Sequence, residues 1–586
     1  MRRNGVRQLA ILQTVSTRSS FLPRLAALLL LPLTCAAASL SSEIDRHIAQ
    51  KAGGTLAPLA SDGEFLRRAW LDFTGGIPTP AETRAFLADK NPQKRAQLID
   101  RLLASPQFPQ RMEDAITVML LERRGGGKVP EAKWREWLRA QFAANRPWNA
   151  LVHDLILLEG DPKVTPAAKF LADAEKFDQE KATHDIARLF LGMNLQCAQC
   201  HDHPTVDDFT QGSFYGIYAF LAQSSLKEDK VAKVTLLAEG VATNRVEFKS
   251  VFRKTNEVTG PRLPGGKEIP VPTFPKGEEY EVMPAKNGNP GVPKFRSRPL
   301  LAKELASEAN ERFAHTSVNR FWFQLMGRGL VHPLDMMHKE NPPSHPELLN
   351  QLAREFIAHK FDVKWLLREI ALSETYQRAS RAPKGADLAQ LKPETYRVAN
   401  LKSLSAEQVA RATMLATGAA DWLPKTPSET PAAAAPAAAD DTEEDGATKS
   451  AKGFNVKAYL NGKLKQPPGN AVDALALFVA TFANPPGEPE VEFAPSMSHA
   501  LFLMNERLVL DWLKPRDNNL TARLAKLKTP AAIADELYIT VLTRPPEPAE
   551  IAEVESYLAK NTSRPETALG ELAWALLASA EFRMIH

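Results

Sequence analysis

The sequence predicts a mainly α protein made of multi-helical domains, with a small β-rich insert and a disordered loop. In "PQKRAQLIDRLLASPQF", the apolar residues Leu98, Ile99, Leu102 and Leu103 recur at the spacing of one helix face, and similar stripes follow later in the chain. Between residues 230 and 297, "KVTLLAEG" and "RVEFKSVF" alternate apolar and polar residues, which is typical of strands. Residues 424–453 contain little apolar bulk beyond alanine and include an acidic cluster, which indicates a disordered loop.

The length indicates more than one domain. A chain of 586 residues exceeds the roughly 100 to 200 residues of a typical domain, so we expect two or three. The pattern of segments predicts the following order: a signal peptide over 1–38, a helical domain over 39–229, a β-rich insert or linker over 230–297, and a helical domain over 298–586 that contains the 424–453 loop.

The first 38 residues have the three parts of a secretory signal peptide. The basic residues come first, the apolar run "LAALLLLPL" follows, and the small residues 36–38 close the segment. The apolar run is shorter than the roughly 20 residues that a spanning helix needs, so an uncleaved membrane anchor is the less favoured alternative. We therefore expect an exported protein of the periplasm or cell envelope, with no transmembrane span in the mature chain.

The charge of the chain also depends on this leader. The whole sequence has 73 Lys and Arg against 69 Asp and Glu. The basic residues of the leader, which has no acidic ones, are Arg2, Arg3, Arg7, Arg18 and Arg24. The mature chain is thus close to neutral, and no nucleic-acid partner is expected.

Two cysteines remain after the leader is removed, and they lie together. Of the 3 cysteines in the chain, Cys35 belongs to the leader, and Cys197 and Cys200 stand in "LGMNLQCAQCHDHP" directly before His201. The pattern Cys-x-x-Cys-His is the attachment signature of c-type haem, in which two thiols bond the porphyrin and the histidine ligates the iron. The motif predicts covalent haem c bound by Cys197, Cys200 and His201, with His201 as an axial ligand of the iron.

The same residues are compatible with other chemistry. Cys197, Cys200, His201 and His203 include the ligand types of a zinc or iron site, although four ligands within seven residues make a cramped cage. Export favours a disulfide as much as it favours haem attachment. A thiol oxidoreductase is a further alternative, but the sequence shows no thioredoxin βαβ frame. No Ser/His/Asp set or carboxylate pair points to a catalytic site.

The neighbouring sequence offers groups that a haem site needs. Candidate apolar cover comes from Phe190, Leu191, Phe209, Phe214, Tyr215, Tyr218 and Phe220, which are equally compatible with a helix core. Candidates for the second axial ligand, by residue type alone, are Met193, His184, His315, Met336, Met337 and His338.

Long stretches of the chain resemble a known family. "ATHDIARLFLGMNLQCAQCHDHPTVDDFTQGSFYGIYAF" and "LRRAWLDFTGGIPTPAETRAFL" resemble domain of unknown function 1549. "RPLLAKELASEANERFAHTSVNRFWFQLMGRGLVHPLDMM", "SHALFLMNERLVL" and "LYITVLTRPPEPAE" resemble domain of unknown function 1553. Both occur in planctomycete-type cytochrome c proteins, and the resemblance covers nearly all of the mature chain.

The resemblance implies an exported, helical protein with a haem c site at the cysteine motif. One departure is that "HPTVDD" lacks the Phe that usually follows the motif in this family. Electron transfer with an unknown redox partner is the leading functional hypothesis. The alternatives are a thiol oxidoreductase and a non-redox envelope interaction or carbohydrate-processing accessory protein whose cysteine site is a structural metal or a disulfide.

Overall fold

The computed structural model describes most of the chain, and the residues from Ser39 onward form one compact unit. The structure describes residues 39–586 except 126, 128, 160, 162–164, 173–175, 243–244, 253–255, 388–390, 425–453, 490–501 and 504–505. The predicted signal peptide, 1–38, lies outside the described residues, as does all but the first residue of the loop predicted over 424–453.

Helices form the part of the chain that precedes the insert. They are α1 (Leu40–Lys51), α2 (Asp62–Thr74), α3 (Pro80–Ala88), α4 (Lys94–Leu103), α5 (Gln107–Leu121), α6 (Glu131–Ala143), α7 (Trp148–Leu157), α8 (Ala168–Leu171), α9 (Gln179–Leu191) and α10 (Gln211–Leu221). Polar side chains cap several of them: Ser61 accepts the Glu64 amide at the start of α2, and Thr79 and Glu82 form a reciprocal capping box on α3. The predicted stripe on α4 is buried as expected.

Six short strands follow and confirm the β-rich insert. They are β1 (Ser224–Asp229), β2 (Val234–Glu239), β3 (Val246–Lys249), β4 (Asn256–Thr259), β5 (Tyr280–Val282) and β6 (Val292–Pro293). They pair in sequence order as three separate antiparallel two-stranded sheets, β1 with β2, β3 with β4 and β5 with β6. Burial alternates along β2, which is the signature of a strand with one covered face. β1 begins upstream of residue 230, where the sequence predicted the insert to start.

Helices dominate the remainder as well. They are α11 (Ser297–Leu305), α12 (Glu311–Met326), α13 (Pro346–Ala358), α14 (Val363–Leu372), α15 (Glu374–Gln377), α16 (Ala406–Thr417), α17 (Ala419–Trp422), α18 (Val456–Leu460), α19 (Ala471–Phe482), α20 (Arg507–Trp512), α21 (Leu520–Leu524), α22 (Pro530–Leu542), α23 (Pro548–Lys560), α24 (Pro565–Ala578) and α25 (Ala580–Arg583). β7 (Lys402–Ser403) pairs with β8 (Met584–Ile585). The mainly α prediction is confirmed.

The buried apolar side chains form two clusters. The first extends from Leu40 to Tyr396 and includes both α10 and α12. The second extends over residues 404–585 and also takes in Leu71 and Ile77 from the start of the chain. Helix α2 therefore contributes to both cores, with Phe73 in the first and Leu71 in the second.

Two buried arginines of α2 tie the start of the chain to its later elements. Arg67 donates to the carbonyl oxygens of Val541 (3.0 Å) and Phe582 (2.8 Å). Arg68 donates to the carbonyl oxygens of Tyr376 and Arg378. These charge-assisted bonds offset part of the cost of burying the two guanidinium groups.

Within the described residues, no helix has both the length and the apolar character needed to cross a membrane.

Candidate functional site

The loop that carries the cysteines begins where α9 ends. Gly192 closes the helix in the left-handed conformation, at φ 64°, and an added Cβ would stand 3.1 Å from Met337 Cβ. Both facts favour glycine. The loop then runs beside residues 335–337: Met337 N–H donates to the Gly192 carbonyl oxygen (2.9 Å) and Asn194 N–H to that of Asp335 (2.8 Å).

The cysteine motif itself forms one tight 3₁₀ turn over Cys197–Gln199. The amides of Cys200 and His201 both donate to the Cys197 carbonyl oxygen, each at 3.2 Å. Ala198 is fully buried, whereas Cys197 and Cys200 are exposed free thiols. The turn therefore anchors its middle residue in the core and presents both sulfur atoms to the outside.

Neighbouring elements hold this turn through its carbonyl groups. The Gln199 carbonyl oxygen accepts from Tyr215 Oη (3.1 Å) and Gln211 Nε2 (3.4 Å), both on α10. Burial raises the pKa of Tyr215, which keeps its hydroxyl protonated as a donor. From the insert, Val251 N–H donates to the Cys200 carbonyl oxygen (3.1 Å).

The two histidines of the motif region differ in which ring nitrogen is engaged. His201 Nδ1 lies 2.7 Å from the Asp202 carbonyl oxygen, which can only accept, so Nδ1 carries the proton and Nε2 keeps a lone pair. His203 has the opposite arrangement, because its Nδ1 accepts from the Thr205 amide at 3.3 Å. Only His201 is thus oriented to offer Nε2 to a metal.

Comparison with protein families places this turn in a named domain. Residues 43–225 match the family PSCyt2, protein of unknown function (DUF1549), and residues 297–558 match PSD1, protein of unknown function (DUF1553). The chain therefore carries a DUF1549 domain followed by a DUF1553 domain. No curated protein and no solved structure matches the chain. The resemblance inferred from the sequence is confirmed for both domains, and neither description names a ligand or an activity.

One end of each family match falls at or next to the start of a structural element. The DUF1549 region contains the cysteine turn and ends within β1, and the DUF1553 region begins with α11. Most of the insert lies between them. Apolar packing nevertheless joins the two regions, since α10 of DUF1549 packs on α11 of DUF1553. The domain boundaries predicted from the sequence stay predictions.

The aromatic residues of the DUF1549 domain that the sequence offered as a cover are mostly core residues. Tyr215 and Tyr218 remain partly exposed. The buried ones are Phe190, Leu191, Phe209, Phe214 and Phe220. The side chains beside the turn come instead from the insert: Phe252 is 79% exposed with its ring centroid 4.8 Å from that of His201, and the neighbouring Val251 is 67% exposed. Sequence reasoning missed both, although an apolar pair in a polar loop is a usable signal.

Of the candidate second ligands, His184 reaches the motif directly, because its Nε2 lies 3.2 Å from Gln199 Oε1. His338 is separated from His203 by the ring of Phe209, which packs edge-on against both histidines. Met193 and Met336 form an isolated β-bridge, and Met337 Sδ lies 4.0 Å from Thr316 Oγ1. Burial lowers the pKa of His315, on α12 of the DUF1553 domain.

The part of the chain that the structure describes shows no assembled ligand set for the metal alternative. Among the described residues, no group of three or more His, Cys, Asp or Glu side chains is arranged to hold a metal ion. His203, one of the four ligands named for that alternative, has its Nδ1 engaged by the backbone amide of Thr205.

Proposed function

We propose that this protein is an exported c-type haem protein that transfers electrons to or from a redox partner. Cys197 and Cys200 would hold the porphyrin through thioethers, and His201 would ligate the iron. Haem supplies one-electron chemistry when bound. The observation that carries the proposal is the hydrogen bond from His201 Nδ1 to Asp202, which leaves Nε2 as the ligating atom immediately behind two exposed thiols.

The surroundings of the turn support this proposal. Attachment requires both sulfur atoms to be accessible from one side, and burial of Ala198 between them orients both outward. A flat macrocycle also needs apolar contact, and Val251 and Phe252 provide exposed apolar surface beside His201. The protein itself would fix the ring orientation of His201 and would shield the porphyrin from water on the side of Val251 and Phe252.

Export is part of the same proposal. The leader predicted over 1–38 has a basic region, an apolar run and small residues in order. Cleavage after Ala38 would leave Ser39, whose side chain accepts from the Ser42 amide and caps α1. The mature chain would therefore keep the N-cap of α1. It would reside in the periplasm or cell envelope.

The test is to express the protein in a host competent for cytochrome c maturation and to record its intact mass and visible spectrum after denaturation. We expect one covalently retained haem in the wild type. Cys197→Ala and Cys200→Ala should weaken or abolish attachment, whereas Ser213→Ala on α10 should leave it intact as a control.

The alternatives give different results in the same measurement. A bound zinc or iron without porphyrin would support a Cys/His metal site. A disulfide with neither haem nor metal would refute the proposal and favour a structural or accessory role. Rapid alkylation of both thiols in a protein that never acquires haem would favour a thiol oxidoreductase.

A further inference from the structure

A second candidate site lies away from the cysteine turn, where the two apolar clusters meet. It is a cleft of about 820 Å³ walled by one face of α5, the end of α12, the segment before α16 and the β8 strand. Clefts of roughly 300 to 1,000 Å³ between packed units are the usual size and place of small-molecule sites. The question is which ligand the walls of this cleft would accept.

The acidic side chains of the cleft are largely neutralised by cations. Their partners are Lys402 for Asp72 (2.5 Å), Arg411 for Asp114, Arg188 for Glu122 (2.6 Å) and Arg123 for Glu407 (2.8 Å). Asp335 has instead the side-chain amide of Asn194, at 3.3 Å. The cleft is therefore poorly suited to a cationic ligand.

Two arginines in the walls have no carboxylate partner among the described residues. Arg111 makes no ion pair there, and its Nε is buried without a hydrogen-bond acceptor in the described chain. Arg320 is 7% exposed and donates from Nε and Nη2 to the carbonyl oxygens of Leu189 (3.0 Å) and Arg188 (2.8 Å), at the end of α9. Those bonds fix its guanidinium group and leave Nη1 unengaged in the described structure. A third wall residue, Arg328, lies 3.9 Å from Glu394.

The two arginines stand at opposite ends of the cleft. The charged neighbours of Arg111 are Asp72, Asp114, Glu407 and Arg411, whereas those of Arg320 are Arg188, Asp335 and Glu122. The wall between them is the face of α5 that runs from Arg111 to Glu122. At 1.5 Å of rise per residue, this face is about 16 Å long.

Both guanidinium groups remain charged in this environment. Burial and, to a smaller extent, the nearby Arg188 lower the pKa of Arg320 to about 10, against the opposing effect of Asp335 and Glu122. Burial also lowers the pKa of Arg111. Neither guanidinium group has a carboxylate within ion-pair distance among the described residues, and a bound oxyanion would add charge-assisted hydrogen bonds that offset part of the cost of burial.

The cleft presents mainly apolar surface. Val118 and Met119 of α5 line it, together with Phe323, Leu401 and Phe482. Leu401 is 56% exposed, which is high for a leucine beside a cleft. We propose that the cleft binds an elongated small organic anion that has an apolar body and an oxyanion group near each end, one bound by Arg111 and the other by Arg320.

Straight-chain dicarboxylates test this proposal, because they vary the separation of two carboxylates at constant chemistry. Succinate, azelate and dodecanedioate would be titrated into the full chain by calorimetry at constant ionic strength, with dodecanoate as the monoanion. We expect saturable binding that is tightest for dodecanedioate. Arg111→Gln and Arg320→Gln should each weaken it by at least about tenfold, whereas the exposed Arg381→Gln should not.

A variant at Leu401, on the exposed edge of the cleft, tests the proposal even if an arginine variant fails to fold. Leu401→Glu adds a negative charge there and should weaken dodecanedioate binding, whereas Leu415→Glu, at a partly exposed leucine outside the cleft, should not. The proposal is overturned if no probe binds saturably, or if Leu401→Glu and the folded arginine variants bind like the wild type.

Discussion

Asn194 is bonded twice to Asp335, through its backbone amide to the carbonyl oxygen (2.8 Å) and through its side-chain amide to the carboxylate (3.3 Å). Asn194 lies three residues before Cys197, and Asp335 lies in the wall of the cleft. The candidate haem site and the candidate anion site therefore share one hydrogen-bonded contact.

The Asn194 side chain should hold the cysteine loop in place. Its oxygen also accepts from the Gln196 amide at 3.3 Å, so Asn194→Ala removes two hydrogen bonds. We expect a loss of about 1 to 2 kcal/mol in the free energy of unfolding and faster hydrogen exchange at the Gln196 amide. Denaturant titration and exchange mass spectrometry measure these. Asn256→Ala, in an exposed strand of the insert, is the control, and equal exchange in both variants would contradict the prediction.

His201 and His203 should have unequal effects once haem is attached. His201→Ala leaves both thiols intact, so we expect a thioether-linked haem with a strongly altered visible spectrum. His203→Ala should leave the spectrum almost unchanged, because its Nδ1 is engaged by the backbone of Thr205. Spectra of the two oxidation states make the comparison. A His203 effect as large as the His201 effect would indicate that both histidines belong to one metal site.

Glu407 should make the protein sensitive to acid. Burial opposes its ionisation, but the charge and hydrogen bonds of Arg123 outweigh burial and lower the pKa of Glu407 to about 2. The contribution of ionised Glu407 to the free energy of unfolding is therefore complete above the unfolded-state pKa, near 4.5. It is lost as the pH falls from there towards 2. It amounts to about 3 kcal/mol.

Urea unfolding as a function of pH measures this contribution. The gap in stability between the wild type and Glu407→Gln should be constant above pH ~5 and should close as the pH falls below it. Glu347→Gln, at an exposed carboxyl group of α13, is the matched control. A gap that persists unchanged under acid conditions would show that the ionised carboxylate contributes nothing to it.

His345 should affect stability at milder pH. Burial, with the charges of Lys51 and His47, lowers its pKa from 6.5 to about 4. The unfolded chain then binds a proton that the folded chain does not, so stability falls as the pH drops from 6.5 towards 4. His345→Gln should reduce the slope of stability against pH by up to about 1.4 kcal/mol per pH unit. Thermal unfolding at several pH values tests this, with His153→Gln as the control; equal slopes would exclude His345 as the cause.

Local pattern was sufficient to predict the α4 helix and the β2 strand, whereas the haem-binding residues stay a prediction. The α4 stripe is buried because helical spacing alone places its four apolar residues on one face. The alternation in "KVTLLAEG" likewise predicted β2. The motif at Cys197 needed no tertiary information, since its residues are adjacent in the chain.

Tertiary packing determines which side chains lie beside the cysteine turn and which line the cleft, and local sequence patterns do not predict this. The aromatic residues of α9 and α10 were equally compatible with a cover for the site or with the core, because periodicity does not identify which neighbour a face meets. Phe252 reaches His201 only because β3 and β4 pack on α10. Arg111 and Arg320 carry no local signal, since they line one cleft only after α5 and α12 have packed.

The hydrogen bonds of Arg67 also constrain the order in which the chain folds. Its acceptors, on Val541 and Phe582, lie 474 and 515 residues further along the chain. Contacts of such separation form late, because a long loop must close before they contribute. Until the residues around Val541 and Phe582 have been made, Arg67 lacks both acceptors, so a partly synthesised chain cannot complete the hydrogen bonds of α2. Synthesis of nearly the whole polypeptide must therefore precede the last folding step.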